Sequence, residues 1–180
     1  MAKSACLVVG ALFLAGCSRT PRAPALQDGP VYDSPGEHFR FLVPEGWTQY
    51  ASAEAPSGRV EQECMLVEYK LLTAERPAGL RVTRADLAEA TDPRQYLIDH
   101  APPAEGWRAK GSARPCVIRG VDAVRITLVG HPSGREEYTR EVTAFRRGER
   151  VYFFTGNFAS SDNEARRQIR RAVDSINWTG

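Results

Sequence analysis

The chain has 180 residues, with 24 Lys and Arg against 22 Asp and Glu and a formal net charge of +2. That length suits one ordinary domain, and 42% hydrophobic with 26% charged residues excludes wholesale disorder and a polytopic membrane protein. The net charge is too small to draw the chain onto nucleic acid by itself.

The first element is an export signal. Lys3 supplies a positive charge, and Ala5 to Cys17 carries none. A helix of that stretch would span about 20 Å, short of the ~30 Å hydrocarbon core of a bilayer. A cleavable secretory signal therefore fits better than a permanent membrane helix. Leu14-Ala15-Gly16-Cys17 resembles the bacterial lipobox. Its small residues admit the peptidase, and the thiol is the nucleophile that takes the diacylglyceryl group. Residues 1–16 are thus read as a lipoprotein signal peptide, and 17–30 as lipidated Cys17 followed by a proline-rich flexible tether. Such a tether reaches up to about 40 Å. The expected location is extracytoplasmic, held to the cell membrane or outer membrane by acyl chains on Cys17, with Ser18 favouring the outer one in didermic bacteria.

Residues 31–180 are expected to form the folded domain. Phe39, Phe41 and Val43 share one face of a strand over 38–43. Val43-Pro44-Glu45-Gly46 predicts a type I turn, and Trp47 to Tyr50 returns as a second strand, making an opening hairpin. A polar loop follows over 51–59. Alternation of Met65, Val67, Tyr69 and Leu71 with Cys64, Leu66, Glu68 and Lys70 predicts a long strand over 60–72. Residues 80–87 are ambiguous between a strand and a helical turn. Asp92-Pro93-Arg94-Gln95 starts a helix that must stop before Pro102-Pro103. Strands are expected at 107–118, 123–129, 135–146 and 150–158, with turns at Gly120, His131 to Gly134 and Arg147-Gly148. The last element is a helix over 162–177, with a capping box at Ser161 and Glu164. Its buried stripe is Ala165, Ile169, Ala172, Val173 and Ile176. The fold class is α+β, a mostly antiparallel β-sheet covered by helices around one core.

Three stretches carry a resemblance to the PsbP-like superfamily. They are Phe39-Arg40-Phe41-Leu42-Val43-Pro44-Glu45-Gly46-Trp47, then Gly120 to Arg125 with the long hairpin up to Phe154, then Val173 to Trp178. The resemblance spans about residues 36–178 and implies an antiparallel sheet between helices, an α/β/α sandwich. That superfamily includes an accessory protein of photosystem II, a Ran-GTPase release factor and many bacterial lipoproteins. It has no shared active site to carry over.

The residues that could do chemistry are few. Of His38, His100 and His131, none has metal-ligand spacing to another, and Ser133 lies outside a Gly-x-Ser-x-Gly elbow. No catalytic, cofactor-binding or metal-binding residue is assigned. Cys64 and Cys116 remain in the mature domain, where export makes a disulfide or two free thiols equally open readings. Arg166, Arg167, Arg170 and Arg171 form a basic face on the last helix, expected to be a solvated face. The function expected is a non-enzymatic binding or accessory module of an unidentified envelope protein complex, with no cofactor and no nucleic acid. The alternative is a small-ligand carrier or enzyme with a pocket between sheet and helix, lined by Tyr69, Tyr138, Tyr152 or Phe154.

Overall fold

The structure is a computed structural model that describes residues 29–56, 63–72, 77–88, 90–100, 106–132, 134 and 136–179. The strands are β1 (Val31–Ser34), β2 (Phe39–Leu42), β3 (Thr48–Pro56), β4 (Glu63–Leu71), β5 (Ala78–Asp86), β6 (Trp107–Ala109), β7 (Arg114–Ile118), β8 (Val121–Gly130), β9 (Tyr138–Arg147), β10 (Arg150–Ala159) and β11 (Asn177–Trp178). The helices are α1 (Pro93–His100) and α2 (Asn163–Asp174). Eight strands form one sheet in the order β3-β4-β5-β10-β9-β8-β6, with β7 also pairing to β8. Strands β1, β2 and β11 form a second, small sheet. Every pairing is antiparallel.

The centre of the large sheet is buried on both faces, because β10 is apolar on both. Tyr152, Phe154 and Phe158 point to a core shared with the small sheet and α2, where Phe39, Phe41, Leu80, Phe145 and Ile169 meet them. Val151 and Phe153 point to the other core, with Leu97, Ile126 and Val142. There Tyr96 of α1 stacks on Phe153 at 5.4 Å between ring centres. A strand covered on both sides reads as a continuous apolar run, which is what Val151 to Phe154 shows. The cover is richer in sheet than expected. Among the described residues only two helices are present, and the small sheet does much of the covering that the sequence assigned to helices.

The opening hairpin is corrected. Phe39–Leu42 and Thr48–Pro56 do not pair; the turn between them carries the chain from the small sheet to the edge of the large one. The turn also closes one residue later than expected, with Trp47 N–H donating to Pro44 O at 3.2 Å and Gly46 at φ +76°. That positive φ at the third position is the geometry of a type II turn, which a glycine there permits. Packing decides this change. Phe39 and Phe41 gain more by lying across the large sheet against Phe154, at 5.9 and 5.5 Å, than they could beside it in plane.

Other boundaries shift for local reasons. The expected loop at 51–59 is strand through Pro56, and its remainder lies outside the described residues. The ambiguous stretch is β5, central between β4 and β10. The expected strand over 107–118 splits into β6 and β7, with Gly111 at φ +88° between them. Helix α2 is capped by Asp162, not Ser161: its carboxylate accepts from Glu164 N and Ala165 N at 3.1 and 3.0 Å. A carboxylate satisfies those free N–H groups and also meets the positive end of the helix dipole. The expected stripe of Ala165, Ile169, Ala172, Val173 and Ile176 is buried throughout.

Close approach fixes two glycines. A Cβ on Gly130 would lie 2.5 Å from Gly106 O, and one on Gly156 would lie 2.5 Å from Ile169 Cγ2. Gly156 is thus where α2 seats on β10. Gly130→Ala and Gly156→Ala should each cost ~1–3 kcal/mol through overpacking. Ile169→Ala should itself cost ~2–5 kcal/mol. In that background the cost of Gly156→Ala should shrink, while the cost of Gly130→Ala, set against backbone, should stand. Urea melts of the singles and doubles measure this coupling.

Candidate functional site

The chain's charges are organised by arginine. On β9, Thr139, Glu141, Thr143 and Phe145 face the core that α2 covers, and this puts the Glu141 carboxylate under the helix with only 4% of its side chain exposed. Arg166 and Arg170, one turn apart on α2, both reach it. Arg170 donates from Nε and Nη2 at 2.9 and 2.8 Å, and Arg166 from Nε at 3.1 Å. Burial pushes the Glu141 carboxyl up, but the bonds and charges of Arg170 and then Arg166 outweigh it and hold it below its ordinary value. The arginine face expected to be solvated is therefore divided. Arg166 and Arg170 fasten the helix to the sheet, Arg167 pairs with Glu164, and Arg171 is exposed.

Glu37 does the same work for the small sheet. It sits in the turn after β1 and accepts from Arg84 Nη1 at 2.6 Å, Tyr152 Oη at 2.9 Å and Arg150 Nη1 at 3.2 Å. Burial, then the bond and charge of Glu37, raise the Tyr152 hydroxyl above its ordinary pKa. Glu37 is spent on these donors and not on its neighbour His38. That histidine takes φ +56°, and its carbonyl accepts Thr179 N–H at 2.8 Å. His131 is exposed at the turn after β8, with Gly134 N–H bonded to its carbonyl, and His100 ends α1. Among the described residues no three His, Cys, Asp or Glu gather as metal ligands.

Cys64 and Cys116 are free thiols, and the bond between them is not formed. Their strands explain this. Cys64, Arg84, Tyr152, Phe145, Ala123 and Cys116 are successive partners straight across the sheet. Five strand spacings put the two cysteines about 24 Å apart, far beyond the Cα reach of a disulfide. Cys17 lies outside the described residues, as does all of 1–28. No helix among the described residues is long and apolar enough to cross a membrane.

The aromatic pocket expected between sheet and helix is filled. Tyr69, Tyr152 and Phe154 are core residues, and burial pushes the Tyr69 hydroxyl up to about 12. Tyr138 packs against the opposite core, so these four do not line one cavity. Among the described residues a groove of about 260 Å³ lies between α2 and the Leu42–Glu45 turn. Gly29, Pro44 and Glu45 line one wall, and Glu164, Arg167, Gln168 and Arg171 the other. Trp47 Nε1–H donates to Gln168 Oε1 at 2.6 Å, tying the two walls together. The spacing of 164, 167, 168 and 171 marks one polar helix face, and that signal was legible. The turn it faces was not.

No protein-family model matches the chain, and neither does any curated protein. Solved structures do. The solution structure of cyanobacterial PsbP (CyanoP) from Synechocystis sp. PCC 6803 is 10% identical with a TM-score of 0.56, over 83% of this chain and 91% of that one. A crystal structure from Bacteroides thetaiotaomicron VPI-5482 is 11% identical with a TM-score of 0.55, covering 84% of this chain. The present chain spans about half, 49%, of that Bacteroides structure's length. LpqN of Mycobacterium tuberculosis, described as involved in cell envelope biogenesis, is 13% identical with a TM-score of 0.48, over 87% and 88% of the two chains. The first two likenesses give the fold: it is PsbP-like, mostly antiparallel sheet with two helices.

The Glu141 cluster sets an acid limit. A carboxyl held below its ordinary value of 4.5 stabilises the fold above that pH, and the contribution drains as pH falls through the depressed value. Glu141→Gln should thus melt lower than wild type at neutral pH, yet lose less further stability between about pH 5 and about pH 3. Removing both Arg166 and Arg170 leaves a buried carboxylate unpaired, and should cost more than Glu141→Gln at neutral pH, ~3–5 kcal/mol. Thermal melts across this pH range check both.

Proposed function

We propose that the chain is an exported, lipid-anchored binding or accessory module of an envelope protein complex, without catalysis of its own. The observation that supports this best is how the buried carboxylates are used. Glu37, Glu68 and Glu141 are each closed by arginines of the chain itself, Glu68 by Arg81 at 2.9 Å. These three carboxylates, which a reaction could have used as acid or base, are committed to holding strand to strand, sheet to sheet and helix to sheet. What the domain offers a partner is its surface. The Leu14 to Cys17 tetrapeptide and the proline-rich stretch after it supply the location, a tether from the bilayer to residue 31.

In a diderm bacterial host, the wild-type chain should partition into the detergent phase and carry acyl mass on Cys17. Cys17→Ser should move it to the aqueous phase. A wild-type protein that partitions as a soluble species, with a bare thiol at Cys17, would refute the anchor. Co-purification of the wild type from native membranes should retain an envelope protein, and its absence under mild detergent would count against the accessory role.

A further inference from the structure

We propose that the groove between α2 and the Pro44 turn seats the zwitterionic headgroup of an aminophospholipid of the phosphatidylethanolamine type, so that the domain lies against the bilayer that holds it. The inference rests on the anchored reading above and takes from it only where the membrane is.

Position comes first. Gly29 lines the groove, and Pro30 O accepts Val43 N–H at 2.7 Å, which pins the start of the domain to the groove's rim. Gly29 lies twelve positions after Cys17, a reach of up to about 40 Å. The surface around a tether's attachment point is the part of a domain held nearest the membrane. The groove is on that surface.

Chemistry comes second. Arg171 is exposed in the last turn of α2 and, among the described residues, has no carboxylate partner, whereas Arg167 is taken by Glu164. The Trp47 indole N–H can only donate, so its bond fixes which end of the Gln168 amide is oxygen. Among the described residues, the amide NH₂ of Gln168 has no acceptor. A guanidinium and an amide NH₂ on one helix face suit a phosphate. On the other wall, Glu45 is exposed and has no cationic partner among the described residues. A carboxylate there suits a primary ammonium, which can donate hydrogen bonds to it. A purely anionic headgroup would meet Glu45 and Glu164, and a quaternary ammonium has no N–H to give Glu45. Both signs on one groove select a headgroup that carries both.

The test uses the processed chain from residue 17 with Cys17→Ser, which contains every described element and lacks acyl chains. Co-sedimentation is measured with vesicles of phosphatidylcholine alone, of phosphatidylcholine with phosphatidylethanolamine, and of phosphatidylcholine with phosphatidylglycerol. Phosphatidylethanolamine vesicles should bind about tenfold more tightly than either of the others. Arg171→Glu and Glu45→Lys should each abolish that preference while melting like wild type, since both side chains are exposed. Binding that follows phosphatidylglycerol and survives Glu45→Lys, equal binding to all three, or no binding would each overturn the headgroup seat. So would capture of a protein from native membranes that depends on Glu45 and Arg171 while vesicles are ignored. The anchor is read separately by acyl mass on Cys17, so an acylated chain without headgroup preference sinks this inference alone.

Discussion

The fold depends on β10 being covered on both faces. Residues 151–154 place Val151 and Phe153 on one side and Tyr152 and Phe154 on the other, and all four are buried. Burying each such side chain contributes about 1.5–3 kcal/mol. A strand of this kind cannot sit at a surface, so the chain must supply two lids. One is α1, held by Tyr96 on Phe153. The other is α2 with the small sheet, held by Ile169 over Gly156 and by Phe39 and Phe41 against Phe154.

The second lid is fastened by charge as well as packing, and the two devices share a design. A single inward carboxylate accepts from arginines on a different element: Glu141 for α2, Glu37 for the turn that leads into β2. Guanidinium suits this use because it stays charged, offers several donors and can leave part of its surface in water, as Arg166 and Arg170 do at 43% and 41% exposure. Ser175 adds a neutral link, accepting Leu42 N–H at 2.8 Å while donating to Ala172 O. Together these contacts fix α2 against β2 and so shape the groove beside them. The groove is a consequence of how the lid is latched. Its rim keeps the charges that the latches did not use.

Local pattern carried a large part of this structure. The stripe of α2, the existence of strands β4 and β10 and the turns at Gly120 and Gly148 all follow from neighbouring residues, because 3.6- and 2-residue periods are properties of a short stretch. The Asp92 cap of α1 did too, with Arg94 N–H bonded to its carboxylate. The alternation expected along β4, by contrast, is broken by a register shift between Met65 and Val67. Where a cap failed, at Ser161, it failed by one residue because two adjacent polar side chains could each serve. The PsbP-like resemblance also came from the sequence, and with it the expectation of an accessory role.

What tertiary structure alone decided is which element meets which. Glu141 and Arg170 are 29 positions apart, Glu37 and Tyr152 are 115 apart, and Leu42 and Ser175 are 133 apart. Four arginines on one helix look alike in sequence, but only the pair at 166 and 170 overlies the carboxylate. Two cysteines look ready to bond, yet the strand order sets five spacings between them. The Pro44 turn looks like a hairpin tip until Phe39 and Phe41 are needed across the sheet instead of beside it. The sequence by itself determined most of the elements and their buried faces, since each is written in contiguous residues. Strand order, latches and groove waited on the fold, because their energies are earned only by residues that folding brings together.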